Sequence, residues 1–161
     1  MRNVLMMVFV FVLGSCAKAP PSSSGPAPVL KSVYFDTGSA VIKDSQKPVI
    51  AAASKMLKTS DWWVVCLGLT DATGDWKTNQ ALAQRRAEAV AGELRKMSPG
   101  IQPPVRIKAA AIGEQLATGG STVLERKVEF VFYKNTGQSI DKIINDSRVL
   151  SDDFQRKSSS K

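Results

Sequence analysis

Histidine is absent from the 161-residue chain, and cysteine occurs only twice, at Cys16 and Cys66. The first absence removes the side chain that most often moves protons near neutral pH and binds metals. No nucleophile has a base at readable spacing, and no cluster of metal-ligating residues stands out. An enzyme, a metal site and a bound cofactor are therefore the readings this composition serves worst. Long apolar runs are missing too. The longest, Val4 to Leu13 (VLMMVFVFVL), falls short of the roughly 20 residues that a membrane-spanning helix needs. No internal repeat is visible. What is present is the mixture of a globular protein, 43% hydrophobic and 22% charged, with room for one domain and its tails. The net charge of +8 suits nucleic acid, anionic lipid or an anionic polymer, and does not choose among them.

The first residues do choose. Met1-Arg2-Asn3 is a short positive segment, and the apolar run behind it suits the h-region of a signal peptide over residues 1–15. It ends in Leu13-Gly14-Ser15-Cys16, which resembles the lipobox of bacterial lipoproteins rather than an ordinary signal peptide with a chance Cys nearby. That resemblance implies an acylated Cys16 at the start of the mature chain. With Ala17 rather than Asp behind it, it implies sorting to the outer membrane, the domain hanging in the periplasm. An exported protein is not expected to meet nucleic acid. Acylation of Cys16 would leave Cys66, inside an apolar run, as a small buried hydrophobe without a disulfide partner in the chain. Residues 16–31, with the Pro- and Ser-rich AKAPPSSSGPAPVLK, read as a tether whose extended reach is at most about 50 Å.

The folded region is expected over residues 32–134. Val33 to Asp36 reads as a short strand. Ser45 to Lys58 reads as a helix capped by Asp44 or Ser45, with Pro48 in its first turn and Ile50, Ala53 and Leu57 on one face. Trp62 to Leu67 (WWVVCL) is short and β-rich, a buried strand. Thr78 or Asn79 is expected to cap a second helix running to about Met97, its apolar stripe formed by Ala83, Ala87, Val90 and Leu94. The paired prolines at 103 and 104 require a loop, and Val105 to Ile112 and Lys127 to Tyr133 supply two more strands. The order β-α-β-α-β-β predicts an α/β two-layer sandwich, with helices on one face of a mixed sheet.

Four stretches in this order carry a family resemblance: Tyr34-Phe35-Asp36 with Thr37-Gly38-Ser39-Ala40; Gly68-Leu69-Thr70-Asp71-Ala72-Thr73-Gly74; Asn79-Gln80-Ala81-Leu82-Ala83-Gln84-Arg85-Arg86-Ala87; and Arg126-Lys127-Val128-Glu129-Phe130. Together they resemble the C-terminal domain of OmpA, shared by Pal-type lipoproteins and flagellar motor stator proteins. In that family the Asp and Arg matched by Asp71 and Arg86 bind the diaminopimelate residue of the peptidoglycan stem peptide. The resemblance implies that Asp71 accepts the ligand ammonium and that Arg86 offers a bidentate fork to its carboxylate. Asp36 and Thr70 would add polar contacts, Leu82 an apolar wall and Arg126 a place at the rim. Leu69, Ala83 and Glu125 depart from the family's usual His, Ser and Asn, and the connection before Arg126 is short.

Residue types alone favour a bland alternative, an Asp71–Arg86 ion pair stitching the turn to the helix; the spaced motifs favour the clamp. A second alternative lies on the sheet. With Trp62, Val64 and Cys66 facing the helices, Trp63, Val65 and Leu67 form an outward apolar row. Left open, it would suit a docking subunit of a secretion, conjugation or motility complex in the envelope. The other possibility is that the extension at 135–161, through Ile140, Ile143 and Ile144, covers it.

Overall fold

A computed structural model describes residues 27–101, 106–115, 117, 123–135, 137, 139–140 and 142–144. The signal segment, Cys16 and most of the tether lie outside the described residues. Four strands and two helices follow in the order β1 (Val33–Tyr34), α1 (Lys47–Thr59), β2 (Trp63–Leu69), α2 (Trp76–Met97), β3 (Ile107–Gly113) and β4 (Lys127–Tyr133). They form a mixed sheet of order β1-β4-β2-β3. β2 runs parallel to β3 and antiparallel to β4, while β1 runs antiparallel to β4. Among the described residues no helix is long and apolar enough to cross a membrane.

The helices pack on one sheet face because their apolar residues recur at three- and four-residue spacing. Ile50, Ala53 and Leu57 of α1 and Val90, Ala91 and Leu94 of α2 join Val64 and Cys66 of β2 and Val128, Phe130 and Phe132 of β4 in the main core. Small residues bring α2 close to β2. A Cβ at Gly68 would lie 2.1 Å from the carbonyl oxygen of Ala83, so the approach requires Gly at that strand position. Beyond α1, Arg106 donates to the carbonyls of Leu57, Ser60 and Trp62 and closes that helix end.

Both expected helix caps need correction. Neither Asp44 nor Ser45 caps α1. A 3₁₀ turn at Asp44–Gln46 precedes it, and the Gln46 side chain, at the cap position, accepts from the Tyr34 amide. For α2 the cap is Asp75, whose carboxylate accepts from the Thr78 amide at 3.0 Å. Thr78 and Asn79 therefore lie inside the first turn. An Asp three residues ahead of a Thr was the signal for it.

Two of the three residues of the outward sheet row are closed over. Val65 and Leu67 are buried together with Leu69 and Ile112 beneath Ile144, and Ile140, Val131 and Tyr133 pack beside them. The chain is helical at 140 and 142–144, and its own apolar side chains cover the strand. Trp63 alone of the three stays half-exposed, its ring 6.0 Å from that of Tyr133.

Candidate functional site

The site forms where β1 and β2 end and β4 begins, beside the turn into α2. Register explains the meeting. Gly68 pairs with Val128 in the antiparallel β2–β4 ladder, which brings the stretch just before β4 beside the end of β2. The Phe35 amide donates to the Arg126 carbonyl at 2.9 Å, so Arg126 lies between the ends of β1 and β2.

The turn itself is held by side chains. Gly74 has φ 101°, a left-handed conformation that other residues rarely adopt. Asn79, expected as a helix cap, instead reaches back from α2. Its Nδ2 approaches the carbonyls of Asp71 at 3.3 Å and Thr73 at 3.1 Å, and the Glu114 carboxylate at 2.6 Å. Sequence reasoning missed Glu114 as part of this set, because the bond spans 35 positions and joins β3's end to α2.

Arg86 is the largest fully buried side chain of the chain's described part. Its Nε donates to the Ser39 carbonyl at 2.8 Å, Nη1 to the Leu69 carbonyl at 3.2 Å and Nη2 to the Asp36 carbonyl at 2.9 Å. Its guanidinium carbon lies 5.3 Å from the centre of the Phe35 ring. Arg86 therefore ties the loop after β1 to the end of β2. Those bonds use one N–H on each nitrogen and leave each Nη a second one. Burial pushes its pKa below the ordinary value; the charge of Asp71 opposes that shift, and those of Arg126 and Arg85 add to it.

The ion pair at Asp71 is made by Arg126, not by Arg86. Arg126 Nη1 lies 2.9 Å from Asp71 Oδ2, with both side chains at most a tenth exposed. This replaces the bland pairing and moves Arg126 from the expected rim to a buried partner. Next to Asp71, the Thr70 hydroxyl is buried without a hydrogen-bond partner among the described residues. Leu82 is buried on the α2 side. Asp36 contributes its carbonyl to Arg86, while its exposed carboxylate pairs with Lys43 at 2.6 Å. Two of the departures from the family pattern also have places here: Leu69 supplies a carbonyl to Arg86, and Ala83 lies against Gly68.

Chemically, this is two carboxylates, that of Glu114 tied to Asn79 and that of Asp71 to Arg126, with two guanidinium groups and an unsatisfied hydroxyl around the turn. Such a set suits a ligand bearing both charges on neighbouring atoms. Among the described residues no group of His, Cys, Asp and Glu is placed to hold a metal ion.

Comparison with known proteins gives a consistent picture. A family model described as the OmpA family matches residues 34–128. Outer membrane protein A of Shigella flexneri is 34% identical over 132 residues, which is 75% of this chain and 37% of that protein. The chain thus spans little more than a third of that relative's length. Among solved structures, the peptidoglycan-associated lipoprotein from Burkholderia pseudomallei is 28% identical with a TM-score of 0.57, covering 63% of this chain and 89% of that one. The C-terminal domain of Helicobacter pylori MotB shares the fold at 20% identity and a TM-score of 0.56, covering 78% and 98% of the two chains.

Proposed function

The chain belongs to the OmpA family, and on that premise we propose that it is a non-enzymatic lipoprotein linking the outer membrane to the cell wall. It would do so by holding the diaminopimelate stem peptide of peptidoglycan without a covalent bond. The observation that carries this reading is the buried Asp71–Arg126 pair beside Arg86, with the unsatisfied Thr70 hydroxyl between strand and turn. A buried hydroxyl without a partner costs about 1–3 kcal/mol, which a bound ligand would recover. Asp71 would accept the ligand ammonium, the second N–H on each Nη of Arg86 would go to the carboxylate, and Leu82 would flank the aliphatic chain. The likeness to a solved peptidoglycan-associated lipoprotein supports the same assignment. Acylated Cys16 and the tether to residue 31 would supply the membrane end, with the domain in the periplasm.

The test is co-sedimentation with purified sacculi in moderate salt, which weakens loose attraction by the net positive charge. Wild type should sediment with walls containing diaminopimelate and poorly with walls containing lysine, which lacks the terminal carboxylate. Asp71→Asn, assayed below its melting temperature, should lose that binding. Equal sedimentation of both proteins with both walls would overturn the reading. Fatty-acid labelling that persists in Cys16→Ser would overturn the lipid anchor.

A further inference from the structure

We propose that Glu114 is a positioning residue for the site: through Asn79 it fixes the turn that presents Asp71. This rests on the peptidoglycan reading above, and Glu114 acts on the ligand only through other residues. Two side chains on one face of α2, seven positions apart, hold the loops around the site. Arg86 ties the loop after β1 to the end of β2 through the carbonyls of Asp36, Ser39 and Leu69. Asn79, also buried, ties the turn after β2 through the carbonyls of Asp71 and Thr73. Those two acceptors lie at 3.3 Å and 3.1 Å, while the Glu114 carboxylate stands 2.6 Å from the same nitrogen. A side-chain amide has two N–H groups, so three acceptors share two protons. The bond to the carboxylate is the short, charge-assisted one, and it sets where the amide sits. Glu114 is in turn held by its own backbone. The carbonyl of Gly113 accepts from the Thr70 amide at 3.0 Å, so Glu114 starts beside the turn it serves. Gly113 has φ 58°, and a Cβ there would lie 2.6 Å from Gln80 Oε1. Gln80 Nε2 donates to the Ala111 carbonyl at 3.0 Å, which clamps the end of β3 against the first turns of α2.

The assay is calorimetric binding of a soluble stem tripeptide ending in meso-diaminopimelate, well below the melting temperature of each variant. Glu114→Ala should weaken binding about fivefold or more, the scale of coupling between residues in contact. Glu114→Gln keeps the reach and an acceptor oxygen, so it should stay within about twofold of wild type. Glu114→Asp keeps the charge but withdraws it by one methylene, so it should lose several-fold. The reverse order, with Asp retaining affinity and Gln losing it, would mean that the charge itself draws the ligand, and overturns the proposal. Should Glu114→Ala melt below the assay temperature, the Gln and Asp variants decide alone. Asn79→Ala combined with Glu114→Ala should bind no more weakly than Asn79→Ala by itself; losses that multiply overturn the route through Asn79. A residue that only supported the fold would lower the melting temperature and leave the affinity of the folded protein unchanged, which also overturns the proposal. The peptidoglycan reading fails separately, if wild type does not bind the peptide. NMR of the ligand-free protein then decides the positioning role. Backbone amide shifts of Asp71 to Thr73 should move in Glu114→Ala and hold in Glu114→Gln, and shifts unmoved in Glu114→Ala overturn it.

Discussion

Replacing Arg86 by Ala should damage the fold before it damages any binding. The side chain is fully buried, and its three hydrogen bonds run to carbonyls on two separate segments, the loop after β1 and the end of β2. Removing it strands those three acceptors, opens a cavity and takes away the cation from the face of Phe35. Relief from holding a desolvated charge, the same burial that pushes the Arg86 pKa down, offsets part of the loss. Deleting one side of a buried charged network generally costs about 3–5 kcal/mol. For a domain of this size each kcal/mol lowers the melting temperature by about 4–8 °C, so a fall of about 12–40 °C is expected. Arg86→Lys should recover only a minor part, since an ammonium cannot span three carbonyls in the plane of a guanidinium. Circular dichroism melts of the wild type and both variants are the assay, followed by wall binding below the lowest melting temperature. A loss smaller than about 5 °C for Arg86→Ala would refute the reasoning and return Arg86 to a purely ligand-facing role.

The cover on the outer sheet face should contribute measurably: Ile144→Ala is expected to cost about 2–5 kcal/mol and to raise amide exchange at Val65 and Leu67. Unchanged melting and exchange would mean that the segment does not cover the sheet in solution. Cys66 should resist thiol reagents in folded Cys16→Ser protein at neutral pH and react fully in denaturant, because burial pushes its thiol from an ordinary 9.0 up to about 12. A raised pKa stabilises the fold fully below pH 9, and that stability is lost as pH rises towards 12. The stability difference between wild type and Cys66→Ala, which leaves other groups in common, should therefore shrink across that window in chemical denaturation. A difference constant with pH would refute the buried, neutral thiol.

Local chemistry was enough to read much of this chain. Hydrophobic spacing determines both helices, their buried faces and the end of α2 at Met97, and alternation in KVEFVFY determines β4 over Lys127–Tyr133. These signals survive in sequence because a periodic apolar face is a property of neighbours three, four or two positions apart. The helix starts were less legible. Several residues near each start can accept from a free amide, and the fold chose Asp75 for α2 and a 3₁₀ turn for α1. Asp71, Arg86 and Arg126 stand out in the sequence as candidates, but the partners the structure gives them do not. Arg126 meets Asp71 across 55 positions, and Arg86 reaches carbonyls 17, 47 and 50 positions away. Those meetings depend on β4 lying between β1 and β2, a matter of sheet order that no local pattern encodes. The same holds for the outer sheet face. An apolar row reads identically whether a partner or the chain's own Ile144 covers it, and only the tertiary structure laid that side chain against Val65 and Leu67.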